Sequence, residues 1–353
     1  MSSITPVFVG LDYHDEEVQV CVLDREGRVK LNRSVANDAR QLAALVRRQG
    51  RVRGAGIEAC CGAANLADEL ATQHGWPIDL AHPGYVARFK RGPDKTDLGD
   101  ARLLADLVRV QYLPKVWLAP EATRQLRRLM RHRQRLVDER RNVKLRIRAL
   151  LRENRRPAPA GVNAWTKAYQ AWLIQVALSA DDRWLMDEHL AELAHLSQRI
   201  RAVEQRLQQH AADDPVVQQL LGFDGVGLVT ALTLRAEVGR FERFDTGKQL
   251  ARFCGVTPCN ASSGQRQADA GLIQAGNPDL RRVLIELAHR LVCRGRGPWG
   301  KLAARLLAQG KRKNVAVAAV ANRWVRWLYH QLKNPPAVTA APGEIHPAQP
   351  ATP

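Results

Sequence analysis

Apolar positions in the first 115 residues fall into short runs separated by polar turns. Val7-Phe8-Val9-Gly10-Leu11 is a compact apolar run that ends on Asp12. Val18, Val20 and Val22 alternate with Gln19 and Cys21, and Arg25-Glu26-Gly27-Arg28 turns the chain toward Val29-Lys30-Leu31. Period-two alternation bounded by a glycine turn predicts a strand, a second strand, a hairpin turn and a third strand. Leu42, Leu45 and Val46 mark a helix, and Gly54-Ala55-Gly56-Ile57 then leads into Glu58 as another strand. Leu66 to Leu70 predicts a second helix, Ile78-Asp79-Leu80 a short strand, and a further helix begins at about Leu98. Strands first, then strands alternating with helices, predict a mixed α/β sheet with helices packed on it.

From about Pro120 the pattern changes. Leu129, Leu136, Val143 and Leu150 recur at every seventh residue, with Leu126 and Ile147 at companion positions. That spacing predicts a coiled coil or a long helical hairpin. Met186, Leu190, Leu193, Leu196, Ile200, Val203 and Leu207 form a second stripe, the expected antiparallel or intermolecular partner. A third region, 215–334, reads as helical with glycine-rich turns, and the Pro- and Ala-rich tail, 335–353, as disordered. The expected division is therefore 1–115, 116–214, 215–334 and a tail.

Charge narrows the function. Of 353 residues, 54 are Lys or Arg and 35 are Asp or Glu, a formal charge of +19. Such an excess calls for a polyanionic partner, most commonly nucleic acid. Residues 119–156 alone hold fourteen Lys and Arg against four Asp and Glu, a net +10 on one helix. A merely solvated face mixes both signs, and the imbalance here argues against that. No apolar run approaches the roughly 18 residues of a membrane span, and MSSITPVFVGLDYHDEE lacks the basic start of a signal peptide. Cys21, Cys60, Cys61, Cys254, Cys259 and Cys293 form no CxxC pair and have no His at zinc-finger spacing. They read as reduced thiols of a cytosolic protein, not zinc ligands.

Two groups of residues carry candidate chemistry. Asp12 and Glu58 each close an apolar strand, where a carboxylate reaches the rim of a sheet. Asp97 and Asp100 stand at i and i+3, on one face of the helix they begin. Singly, each has an ordinary explanation as a turn cap, helix cap or surface residue. Together, four carboxylates would repel unless a hard divalent cation joined them, and oxygen donors select Mg²⁺ or Mn²⁺. Such ions can activate a nucleophile and stabilise the leaving oxygen of a phosphodiester.

The second group lies downstream. Phe223-Asp224-Gly225-Val226-Gly227 is a glycine turn at a helix start, suited to a phosphate or to an ordinary helix–helix corner. Cys254-Gly255-Val256-Thr257-Pro258 precedes Ala261-Ser262-Ser263-Gly264-Gln265-Arg266, a polar turn with no His or Asp nearby to complete a hydrolase triad. Gly271-Leu272-Ile273-Gln274-Ala275-Gly276-Asn277 and then Leu280-Arg281-Arg282 follow.

These segments, VFVGLDYHDEEVQVCVLD, GIEACCG and KTDLGDARLLADL in the first half and Ser-Ser-Gly, Gly-Asn and Leu-Arg-Arg in the second, resemble IS110-family transposases over about residues 5–333. The resemblance implies a RuvC-like, RNase H-fold first domain with an acidic quartet at Asp12, Glu58, Asp97 and Asp100. A helical linker and a mostly α C-terminal domain, with a helix-hairpin-helix-like element at Gly225 and Gly227, would follow. It implies Ser263 as nucleophile, with Ser262 the alternative, Mg²⁺ or Mn²⁺ as cofactor, and DNA plus a structured noncoding guide RNA as partners. The two signatures are expected to meet in space, within one chain or across a subunit boundary of a dimer or dimer of dimers. A cytoplasmic, nucleoid-associated bacterial protein follows from the same likeness. Two positions depart from the family: Ala59-Cys60-Cys61-Gly62 replaces Ala-Thr-Gly or Ala-Ser-Gly, and Gln274 stands where Lys is common.

Candidate nucleic-acid contacts are Gly225 and Gly227, Arg127, Arg128, Arg131, Arg140 and Arg141 of the basic helix, and Arg266, Arg281 and Arg282. The main rival is a metal-dependent junction-resolving endonuclease that uses the acidic quartet and water, leaving the serines idle. A non-catalytic nucleic-acid scaffold would not need four retained carboxylates. A kinase of the same fold would need no +19 charge.

Overall fold

The computed structural model describes residues 5–90, 96–260 and 269–333. The chain divides into two compact units, Met1–Glu121 and Ala122–Pro353. The first unit carries β1 (Pro6–Tyr13), β2 (Glu17–Leu23), β3 (Val29–Ala36), α1 (Ala39–Arg47), β4 (Arg51–Glu58), α2 (Ala63–His74), β5 (Ile78–Ala81), α3 (Pro83–Val86), α4 (Asp97–Arg109) and β6 (Lys115–Val116). They form a six-stranded mixed sheet in the order β3-β2-β1-β4-β5-β6. β1, β2 and β3 run antiparallel, β4 and β5 run parallel to β1, and β6 returns antiparallel. This is the mixed α/β architecture expected, and the topology agrees with a RuvC-like domain.

Period-two alternation explains how the sheet is covered. Val7, Val9, Leu11, Val18, Val20, Val22, Ala55 and Ile57 all point to one face and pack with Leu42, Val46, Leu66 and Leu70 of α1 and α2. Cys21 and Leu23 point to the other face, against Ala101 and Ala105 of α4. The central strands β1, β2 and β4 are thus covered on both sides, as strands between two helical layers are, while the edge strand β3 stays largely open. The α4 face also carries Gly10, Gly54 and Gly56. A β-carbon at Gly10 would lie 1.9 Å from the Ala101 carbonyl oxygen, and one at Gly54 or Gly56 would lie 2.7 Å from Val108. Three missing side chains let α4 lie directly on the strands.

In the second unit, α5 (Glu121–Glu153), α6 (Lys167–Gln175) and α7 (Ala180–Ala212) come first. Leu136, Val143, Ile147 and Leu150 of α5 meet Met186, Leu193, Leu196 and Ile200 of α7 and Tyr169 and Leu173 of α6 in one apolar cluster. Arg133 pairs with Glu204 at 2.6 Å and Arg146 with Glu192 at 2.8 Å. The partner number falls as the α5 number rises, so the two long helices run antiparallel within one chain. Next come α8 (Pro215–Leu221), α9 (Leu228–Val238), α10 (Gly247–Phe253), the strands β7 (Pro258–Asn260) and β8 (Asp269–Leu272), then α11 (Pro278–Arg294), α12 (Gly297–Ala308) and α13 (Lys313–Lys333). A single core joins Leu207, Leu220, Leu232, Leu250, Leu284 and Trp324. This part is mostly helical, as expected. Among the described residues, no helix is long and apolar enough to cross a membrane.

Candidate active site

Asp12 and Glu58 owe their position to the same alternation that builds the sheet. Leu11 pairs with Ile57 in the parallel β1–β4 register, so the next residues, Asp12 and Glu58, are neighbours at adjacent strand ends. Both follow Gly10 and Gly56 by two residues and therefore face the α4 side. Tyr13 points the other way. Its ring lies against Gly62, the N-cap of α2, whose φ of +91° suits glycine.

Asp97 and Asp100 occupy the first turn of α4, where the Thr96 side chain accepts from the Gly99 N–H. The positive end of a helix favours carboxylates at these positions. Asn32 of β3 donates to the Leu98 carbonyl at 3.1 Å and itself accepts from buried Gln19 at 2.8 Å. The antiparallel strands thereby hold the start of α4 near β1.

The four acids share one electrostatic field. Burial holds the Asp12 carboxyl above its ordinary range; His14 opposes this, while Asp100, Asp97 and Glu58 push it further up. Two basic side chains that residue order alone did not single out sit among them. His14 Nε2 lies 3.3 Å from Asp97 Oδ2 and 3.7 Å from Asp12 Oδ2. Lys90 Nζ lies 2.6 Å from Asp100 Oδ2. One ligand atom each from Asp12, His14 and Asp97 falls within 4.8 Å of the others. A carboxylate-rich set of this kind fits a divalent cation, with repulsion among the acids relieved by its charge. His14 was detectable, since i+2 along extended backbone places it on the Asp12 side. Lys90 was not, because its pairing depends on the chain returning after α3.

In the second unit, Ser262, Ser263 and Arg266 lie outside the described residues, as does the tail beyond residue 333. The strands on either side of the serine segment pair antiparallel, with Pro258 opposite Leu272 and Asn260 opposite Asp269. The base of this ribbon is tied down by residues of the Gly-Asn and Leu-Arg-Arg signature. Asn277 Oδ1 caps α11 by accepting from Asp279 and Leu280, and its Nδ2 donates to Glu237 at 2.9 Å. Arg281 donates to the carbonyls of Gly255 at 2.9 Å and Ile273 at 2.7 Å. Arg282 pairs with Asp279 at 2.8 Å.

The basic helix divides its arginines between two tasks. Arg127 donates to the Ala236 carbonyl at 2.8 Å, at the C-terminal end of α9 where a cation is favoured. Arg131 lies 3.4 Å from Glu237, a buried carboxylate. Arg128 and Arg141 are exposed, and Arg140 half-exposed. Gly225, with φ of +79°, and Gly227, the N-cap of α9, line a groove of about 920 Å³. Arg133, Arg282, Arg290 and Arg294 also line it, beside Glu204 and Glu286. Arg290 donates to the Gly225 carbonyl at 3.2 Å, and Arg294 pairs with Asp224.

Comparison with known proteins matches both halves of the chain. Residues 9–155 match a family model for transposases, the DEDD domain of the IS110 type, and residues 217–304 match one described as transposase of the IS116/IS110/IS902 family. A probable family 20 transposase of Pseudomonas aeruginosa is 29% identical over 334 residues, 91% of this chain and 95% of that protein. The transposase for insertion sequence element IS1111A of Coxiella burnetii is 26% identical over 319 residues, 89% of this chain and 86% of its own. The transposase for element IS1328 of Yersinia enterocolitica is 26% identical, with 76% and 80% covered. With its acidic first unit and its serine-bearing second unit each matched in order, the chain belongs to the IS110/IS116/IS902 family of transposases.

Proposed function

We propose that this protein cuts and rejoins DNA at the ends of an insertion sequence. The acidic quartet Asp12, Glu58, Asp97 and Asp100 would hold Mg²⁺ or Mn²⁺, and Ser263 would be the nucleophile. The observation that supports the reading is that ligand atoms of Asp12, His14 and Asp97 lie within 4.8 Å of one another, with Asp100 and Glu58 adding to the field at Asp12. Four acids drawn from three separate stretches of chain share one field, an arrangement an ordinary cap or surface residue does not need.

When bound, the cation supplies Lewis-acid stabilisation of charge on the phosphoryl oxygens. The protein's own groups do the rest. A serine hydroxyl is a weak nucleophile at neutral pH and must lose its proton as it attacks. In the proposed step, Ser263 Oγ bonds to phosphorus while the bond from phosphorus to a deoxyribose oxygen breaks. The serine proton is released and the departing hydroxyl gains one. Attack by a free DNA hydroxyl on the phosphoserine ester reverses the step and rejoins DNA without ATP. Both signatures must act on the same phosphodiester.

The same reading includes a structured noncoding guide RNA that chooses the target, and a homo-oligomer. Exposed Arg128 and Arg141, with Arg140, are the basic-helix residues best available for backbone phosphates, whose contacts weaken with salt. The helical segment 116–214 would act as a coiled coil, and the Gly225–Gly227 turn of the 215–334 domain as a helix-hairpin-helix-like phosphate cradle. The test is a protease-sensitive protein–DNA adduct, which Ser263→Ala should abolish. An adduct that persists removes Ser263 from the mechanism. Cleavage with no adduct in the parent protein would favour a hydrolytic junction-resolving endonuclease.

A further inference from the structure

We propose that His14 is a ligand of the same cation, so that the centre combines one imidazole nitrogen with carboxylate oxygens and prefers Mn²⁺ to Mg²⁺. This rests on the reading that Asp12 and Asp97 hold a divalent cation, and adds a donor that the quartet lacks. His14 follows Asp12 by two residues at the end of β1, so both side chains leave the same side of the strand. Its backbone is held on both sides. The His14 N–H donates to the Glu17 carbonyl at 3.0 Å, closing the β1–β2 turn. Asn37 Nδ2 donates to the carbonyls of His14 at 3.0 Å and Asp15 at 3.2 Å.

From that anchored turn, Nε2 reaches a point 3.3 Å from Asp97 Oδ2 and 3.7 Å from Asp12 Oδ2. Both separations exceed the roughly 2.7–2.9 Å of a charge-assisted hydrogen bond, so a tight ion pair with either acid does not explain them. They do suit neighbouring ligands of one ion, since octahedral bonds of roughly 2.1 Å place adjacent donors about 3.0 Å apart. The imidazole is 49% exposed, which leaves the site open to ion entry. Imidazole is a poor donor for Mg²⁺; Mn²⁺ takes carboxylate oxygens as Mg²⁺ does but, as a transition ion, also accepts an imidazole nitrogen beside them. His14 therefore tunes which metal the acidic site takes, beyond what carboxylates alone would select.

The test is pulsed electron paramagnetic resonance on the full-length protein loaded with Mn²⁺. A nitrogen-14 modulation from directly bound imidazole is expected, and it should vanish in His14→Gln. By calorimetry, that variant should bind Mn²⁺ about tenfold more weakly while Mg²⁺ affinity changes far less, in line with the donor preferences of the two ions. Mn²⁺ bound at one site without nitrogen modulation would overturn the role of His14 and leave the acidic site standing. Mn²⁺ binding that is absent, or unaltered by Asp12→Asn, would overturn both.

Discussion

A methyl group on Gly10 would sit 1.9 Å from the carbonyl oxygen of Ala101, so the middle of β1 meets α4 backbone to backbone. That contact fixes the height of α4 above the sheet and brings Asp97 and Asp100 beside Asp12. Gly10→Ala must push the helix away, at a cost of about 1–3 kcal/mol or more for an overpacked core. Thermal unfolding should show the loss, and Mn²⁺ affinity should fall with it. Gly75 is a useful control, with φ of +66° and open space around it. Gly75→Ala should cost only left-handed strain, about 1–2 kcal/mol, and leave Mn²⁺ binding unchanged.

Lys90 is a built-in counter-charge for Asp100, with both side chains mostly buried and 2.6 Å between them. Lys90→Met keeps the apolar stem and removes the charge, leaving Asp100 unpaired at a cost of about 1–3 kcal/mol. A cation that binds Asp100 would compensate, so added Mg²⁺ should raise the melting temperature of this variant more than that of the parent. An equal Mg²⁺ response in the two proteins would mean that Lys90 and the cation do not share Asp100.

Glu237 is the hub of the second unit. It is buried, accepts from Asn277 at 2.9 Å and lies 3.4 Å from Arg131 and 3.8 Å from Arg127. Glu237→Ala removes the carboxylate beside Arg127 and Arg131 and leaves the Asn277 amide without its acceptor, at a cost of about 1–3 kcal/mol. Glu237→Gln keeps an acceptor for Asn277 and should lose less. Urea unfolding of the two variants separates the charge from the hydrogen bond.

Thiol chemistry should divide the cysteines by burial. Burial pushes Cys21 up to about 11 and raises Cys254 as well, while Cys60, Cys61 and Cys293 are exposed. At pH 8, alkylation of the folded protein should mark Cys61 and Cys293 first, Cys60 more slowly because burial also pushes its thiol up, and reach Cys21 and Cys254 only on unfolding. The sign of the pH effect follows from the raised values. Both buried thiols keep their protons where an unfolded chain has begun to lose them, so stability is full below about pH 8.5 and falls as pH rises toward the Cys21 value. Denaturant midpoints between pH 8 and 11 measure that decline.

Much of this was legible in residue order because it rests on local periodicity. Alternation at Val18, Val20 and Val22 marks a strand, and an apolar run that stops on Asp12 or Glu58 marks a strand end. The i, i+3 spacing of Asp97 and Asp100 puts them on one helical face. Their convergence was not legible, since it depends on the parallel β1–β4 register and on close packing of α4 over Gly10. The basic helix shows the same limit. Arg127 and Arg141 look alike in sequence, yet Arg127 is committed to a carbonyl 109 residues away, a contact no local pattern announces. Arg281 likewise holds the ribbon base through the Gly255 and Ile273 carbonyls.

Cleavage of DNA carrying the element's ends, by the purified protein with any RNA that co-purifies, bears most directly on the acidic site. Asp12→Asn retains the shape of the side chain but removes its charge from the acidic cluster. Cleavage in Mg²⁺ should fall by about a thousandfold, comparable to losing a principal electrostatic contact of a transition state, while DNA binding should stay within about twofold if phosphates are held, as proposed, by the basic helix. Undiminished cleavage by Asp12→Asn, with Mg²⁺ still required, would contradict the assignment of the quartet as the metal-holding centre.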